Sequence, residues 1–131
     1  MNNGNKTWNL KLSSINPIAI SGGSIYLIDT TGRLLCVDVN KGKLLWAVQL
    51  RISKDGEEIS WYGPLLSSNK LLLGNSDGQV ISISPFTGKL LSKLDLSEEI
   101  VASPINLGEQ IILISKKGTL LAKAGQTNSS K

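Results

Sequence analysis

The sequence of 131 residues has no histidine, a single cysteine and only 5% aromatic residues. Without histidine it lacks the commonest general base and the commonest neutral metal ligand. The lone cysteine, Cys36, cannot close an internal disulfide, and in an alternating run it reads as a small buried apolar group. No apolar run is long enough to span a membrane, and the opening Met-Asn-Asn-Gly-Asn-Lys has no apolar core for a signal or transit peptide. Cys36 is internal and follows no hydrophobic signal, so it does not read as a lipidation site. Taken by itself, the chain is expected to remain in the cytoplasm.

Charge is also sparse. Charged residues make up 18% of the chain and the net charge is +4. The lysines are scattered, Lys41 and Lys43 about one turn and Lys116 and Lys117 beside Gly118. Asp55, Glu57, Glu58, Glu98 and Glu99 interrupt the rest. A nucleic-acid surface needs clustered basic residues with interleaved aromatics, and neither is present. Alanine, glutamate and glutamine are few, while Leu, Ile, Val, Ser, Gly and Asn abound, a mixture that favours β-structure. The length suffices for a packed core without disulfides or metal.

What is present is a repeat. Gly32-Arg-Leu-Leu-Cys-Val-Asp38-Val-Asn-Lys-Gly42-Lys-Leu-Leu-Trp46 reads as two short strands about a tight turn, with Asn and Gly supplying positive φ. A second copy runs from Gly78 through Gly88-Lys-Leu-Leu to Ser92. A third, partial copy stands at the start: Gly4…Trp8-Asn-Leu10-Lys-Leu12 overlays Gly42…Trp46-Ala-Val48-Gln-Leu50, with glycine on glycine and tryptophan on tryptophan.

Two further landmarks set the register. Pro17, Pro64 and Pro104 each open a first strand, and Gly32, Gly78 and Gly118 follow them by 15, 14 and 14 positions. The expected strands are 15–20, 24–29, 33–38 and 43–50; then 61–66, 70–75, 79–84 and 89–96; then 101–106, 110–115 and 119–124. Residues 51–58 read as a polar linker with a loop signal at Asp55-Gly56, and 125–131 as a disordered tail. About 40–47 residues per unit and four short strands in each is the signature of β-propeller blades rather than of a sandwich. The fold expected is an all-β propeller segment: residues 4–12 as the last strand of a preceding blade, complete blades over 15–50 and 61–96, and a three-stranded blade over 101–124.

The motif from Cys36 to Trp46 resembles the propeller repeat of the pyrroloquinoline-quinone-like family: a small residue, Asp, a turn with Gly-Lys, then Trp. That resemblance implies tryptophan docking, in which the Trp of one blade sits on the turn of its neighbour. Trp8 and Trp46 match the tryptophan position, Gly42 and Gly88 the turn. Ser84 and Ser92 replace the Asp and the Trp in the second unit, so docking at its far boundary is expected to be weaker. The stretch from Pro104 to Lys123 looks like the C-terminal part of BamB-type outer-membrane lipoproteins. This implies a non-catalytic scaffold for protein–protein interaction in β-barrel assembly, at the periplasmic face of the outer membrane, with the assembly machinery as partner.

The candidate sites have competing readings. Trp61 and Tyr62 lie near a strand start close to the propeller axis. They are candidates for a partner surface at a channel mouth, with core packing as the alternative. Asp29, Asp38, Asp77 and Asp95 sit where carboxylates cap turn amides, and their spacing does not suggest a shared metal or catalytic site. No catalytic, cofactor or metal residue is assigned. Two other classes stay open: a piece of a quinone-dependent dehydrogenase, and a short repeat protein that assembles with itself. In the second, the unpaired blade edges of one chain meet those of another, and two chains close a six-bladed ring.

Overall fold

A computed structural model describes residues 16–118 and 120–124 of the chain. The described residues form antiparallel β-sheet and turns, with no helix among them. Sheet 1 is β1 (Ala19–Ser21), β2 (Ser24–Ile28), β3 (Arg33–Asp38) and β4 (Lys43–Gln49), paired in that order. A two-stranded hairpin follows, β5 (Ser53–Lys54) and β6 (Glu57–Glu58). Sheet 2 is β7 (Trp61–Ser67), β8 (Lys70–Asn75), β9 (Gln79–Ile83) and β10 (Leu90–Asp95), again in sequence order. Sheet 3 is β11 (Ile105–Leu107), β12 (Gln110–Ile114) and β13 (Leu120–Ala124).

Each sheet is a meander whose neighbours in sequence are neighbours in space, which short turns make the cheapest topology. Gly22, Gly42, Gly88 and Gly108, in the turns that link consecutive strands, all have positive φ. Alternation along each strand then sorts the side chains to two faces. Tyr26, Ile28, Leu34 and Cys36 of sheet 1 meet Leu71, Leu73, Ile81 and Ile83 of sheet 2 in one buried cluster. The other face of sheet 2 carries Leu65, Leu72 and Val80, which pack with Ile100, Ile111 and Leu113 on the side of sheet 3. The sheets therefore stack as leaves. The innermost strands β1 and β11 both touch β7, and all three border one groove.

Two local expectations are corrected. Pro17 and Pro104 precede their strands, but Pro64 lies inside β7, after a cis Gly63–Pro64 bond. It falls in the stretch between Tyr62 and Leu65 where the pairing with β8 shifts register, a place where a missing N–H takes no ladder bond away. The polar linker is not wholly irregular. Asp55 and Gly56, at φ 53° and 82°, close the β5–β6 hairpin, and Lys54 Nζ donates to Asp77 Oδ2 at 3.2 Å, tying it to sheet 2. Trp8, the strand expected over 4–12 and the tail at 125–131 lie outside the described residues.

Candidate partner-binding cleft and the blade lock

Trp46 stands on β4, paired with Cys36 on β3. Its ring leans over the β9–β10 turn of the next sheet, and its indole N–H donates to the Pro85 carbonyl at 3.0 Å. A Cβ on Gly88 would lie 2.8 Å from Trp46 Cε3, and Gly88 has φ +79°. The turn is thus glycine both for its backbone and for the ring above it. Tyr26 lies beneath, its ring centroid 6.2 Å from that of Trp46. Gly42 occupies the matching turn of sheet 1, at φ 62°.

Of the turn carboxylates, Asp29, Asp38 and Asp95 accept from backbone N–H groups, while Asp77 pairs with Lys54. Asp38 Oδ1 accepts from Asn40 N–H and Lys41 N–H at 2.9 and 3.2 Å. Ser84 Oγ holds the same place in sheet 2, accepting from Phe86 and Thr87 at 3.2 and 3.3 Å, longer bonds to a neutral acceptor. Ser92, in place of the tryptophan, meets only Ser82 across the ladder, Oγ to Oγ 2.6 Å. Asp29 Oδ1 accepts from Thr31 N–H, Thr31 Oγ1–H and Arg33 N–H at 2.9, 2.7 and 2.9 Å, and Oδ2 pairs with the Arg33 guanidinium at 2.9 Å. Burial pushes this carboxyl up, but the hydrogen bonds from Arg33 and Thr31 outweigh it and hold Asp29 below the ordinary range. Asn75 repeats the device: its Oδ1 accepts from Asp77 and Gln79 N–H, both at 2.9 Å.

Trp61 and Tyr62 are adjacent on β7 and so point to opposite faces. Trp61 is 9% exposed, belongs to the cluster between sheets 1 and 2, and donates its N–H to the Arg51 carbonyl at 2.7 Å. Tyr62 is half-buried against the cluster shared with sheet 3. Strand alternation thus splits the pair, with Trp61 packed between sheets 1 and 2, the packing alternative, and Tyr62 turned to the other face. Both still border a cleft of about 690 Å³, lined also by Asn16, Thr30, Ile52, Glu58 and Ser103. The sequence reading missed this cleft because the β5–β6 hairpin that forms one wall has no apolar alternation to announce it.

Burial raises the pKa of the Tyr26 hydroxyl and of the Cys36 thiol, so neither is poised for proton transfer or nucleophilic attack. Among the described residues, no three metal-ligating side chains converge. No helix there is long and apolar enough to cross a membrane.

Leaves of antiparallel strands, fanned about a common groove and locked by a tryptophan on the next leaf's turn, define a β-propeller segment. The family model for outer membrane protein assembly factor BamB matches residues 1–48 and 36–129. The chain belongs to that family. Outer membrane protein assembly factor BamB of Escherichia coli strain K12 is 25% identical over 92% of this chain and 30% of its own length. The quinoprotein ethanol dehydrogenase of Pseudomonas aeruginosa is 24% identical over 82% of this chain but 18% of its own length. The crystal structure of BamB from Moraxella catarrhalis superposes with a TM-score of 0.65 at 22% identity, covering 89% of this chain and 35% of that one. The chain spans about three-tenths of the length of the BamB relatives it matches.

Proposed function

We propose that the chain supplies non-catalytic propeller blades to a protein-binding scaffold in outer-membrane β-barrel assembly, at the periplasmic face of the outer membrane. The family match across nearly the whole chain carries this reading. The local chemistry agrees with it. Asp29 and Asp38 are engaged in holding turns, and the buried thiol and phenol are held protonated. The half-buried Tyr62 and the polar rim about it suit contact with a protein loop, in which an aromatic supplies area and serine and threonine supply hydrogen bonds. Trp46 on Gly88 works as an inter-blade lock, and we assign Trp8 and Gly42 the same part at the preceding boundary. The β13 edge that has no partner among the described residues offers a second contact, with another copy of the chain.

The test is a chimera in which the matched stretch of the Escherichia coli protein is replaced by residues 16–124 of this chain, in a strain lacking its own BamB. Restored levels of outer-membrane β-barrel proteins are expected. A chimera that is exported and folded yet restores nothing overturns the proposal. The likeness to a quinoprotein dehydrogenase motivates a second measurement, ultraviolet–visible titration of the chain with pyrroloquinoline quinone and calcium. Saturable binding there would favour the enzyme reading.

A further inference from the structure

Backbone hydrogen bonds align the two links that join one leaf to the next. Leu50 N–H donates to the Gly32 carbonyl at 2.9 Å and Leu96 N–H to the Gly78 carbonyl at 2.7 Å, so the chain leaves sheets 1 and 2 at equivalent places. It re-enters at equivalent places too, Trp61 pairing with Asn75 as Ile100 bridges to Ser115. Ten residues separate Leu50 from Trp61, but only three separate Leu96 from Ile100. The longer link builds the β5–β6 hairpin. At its base Ile59 N–H donates to the Ile52 carbonyl at 2.9 Å, and both isoleucines line the cleft of about 690 Å³. Insertions into a repeat frame fall in loops, and binding surfaces are built on such loops.

Within the cleft Ile59 and Trp61 are buried, whereas Ile52 is 47% exposed and Tyr62 half-buried, so an apolar side chain entering there covers both. Of its two carboxylates, Asp29 is held by Arg33 and its own turn, while Glu58 is exposed. Glu58 also lines an adjoining hollow of about 480 Å³, together with Asp55, Glu57 and Glu99. The cations nearby are engaged elsewhere or distant: Lys54 pairs with Asp77, Arg51 Nε donates to the Ser53 carbonyl, and Lys116 lies 3.9 Å from Glu99. Among the described residues Asp55, Glu57 and Glu58 pair with no cation, on a chain whose net charge is +4. We propose that the cleft receives an apolar side chain from an extended segment of another protein, and that the residues following it there are lysine or arginine, laid on Glu57 and Glu58. In such a segment the next two residues lie within about 7 Å of the first, a span that a lysine or arginine stem bridges. The inference rests on the protein-binding reading and names the chemistry of the partner.

The test uses the whole chain and a short fluorescein-labelled glycine–serine peptide with Phe-Lys-Lys at its centre, read by fluorescence anisotropy. Saturable binding is expected, weaker by about tenfold when the centre becomes Phe-Glu-Glu or Ser-Lys-Lys, and weaker as salt is added. Glu57→Gln with Glu58→Gln, at two exposed positions, should lose about three- to tenfold for the Phe-Lys-Lys peptide and flatten the salt dependence. Ile52→Ser should lose about fivefold for that peptide and leave the Ser-Lys-Lys peptide unchanged. The inference is overturned by the absence of saturable Phe-Lys-Lys binding, by equal binding of the Phe-Glu-Glu peptide, or by full binding to both variants. A chain dimer in light scattering that the peptide cannot displace gives the cleft to a second copy and overturns it as well. A failed chimera beside selective peptide binding counts against the assembly role alone, and a working chimera beside unselective binding counts against this inference alone.

Discussion

Asp29 and Asn75 hold equivalent turns with different chemistry, and the pair shows how much of the work is hydrogen bonding and how much is charge. Asn75 demonstrates that an amide oxygen can cap both N–H groups. Asp29→Asn should therefore fold, losing only the pair with Arg33. That guanidinium is nearly half exposed, so the loss should be about 0.5–1 kcal/mol in urea unfolding at pH 7. The Asp29 pKa is lowered in the folded state, so its contribution is present above the unfolded carboxylate range near ~4 and disappears as pH falls through the folded value. The stability gap between wild type and Asp29→Asn should accordingly close as the pH falls below the ordinary carboxylate range. A gap that stayed constant with pH would count against the ion pair. At the lock, Gly88→Ala must both adopt φ +79° and displace the Trp46 ring, and should cost about 2–3 kcal/mol. Trp46→Phe, which leaves the Pro85 carbonyl without this donor, should cost about 1–2 kcal/mol. Cys36, buried and with its thiol pKa raised, should resist iodoacetamide in the native protein and react once urea unfolds it.

At the scale of strands and sheets, the junction between sheets 2 and 3 differs in that Ser92 stands on sheet 2 where Trp46 stands on sheet 1. Gly74 on β8 faces Ile100, and a Cβ there would sit 2.9 Å from Ile100 Cγ2. Gly74→Ala should push Ile100 out of its cluster and loosen sheet 3 selectively. Hydrogen exchange read by peptide should then show faster exchange in β11–β13 while β2, β3 and β8 keep their protection. Uniform loss would contradict separate leaf junctions. The elements themselves were legible in the sequence wherever apolar alternation met a glycine turn: of the twelve expected strands, the eleven from residue 15 onward have counterparts among the described residues, and the one over 4–12 lies outside them. Starts were less legible. β1 and β11 begin at Ala19 and Ile105, several residues later than expected, because only three residues of each find ladder partners. The β5–β6 hairpin was illegible because two-residue strands carry no period. The cleft shared that obscurity, and the divergence of Trp61 from Tyr62 needed the neighbouring leaves to be in place before it meant anything.

For the molecule as a whole, unequal junctions imply that unfolding is not a single event. Among the residues whose side chains are described, the cluster between sheets 1 and 2 holds most of the fully buried apolar ones together with the Trp46 lock, while Ile100, Ile111 and Leu113 are the buried residues of the other. Repeat stacks whose interfaces differ lose their outer units first. In a Trp8→Phe background, the remaining tryptophans both report on the first junction. On heating, far-ultraviolet circular dichroism should begin to fall before tryptophan fluorescence does. Coincident curves would show one cooperative block instead.

The lock at Trp46 also has a direction. Its ring projects from one leaf and its glycine socket sits on the following leaf, so the two leaves meet through unlike faces. Such a unit can be copied or removed in whole periods without spoiling the fit, but it cannot be turned around. A chain built this way is like a row of interlocking tiles whose order of laying is written into each tile. Any insertion that is not a full tile should break the row at its own position.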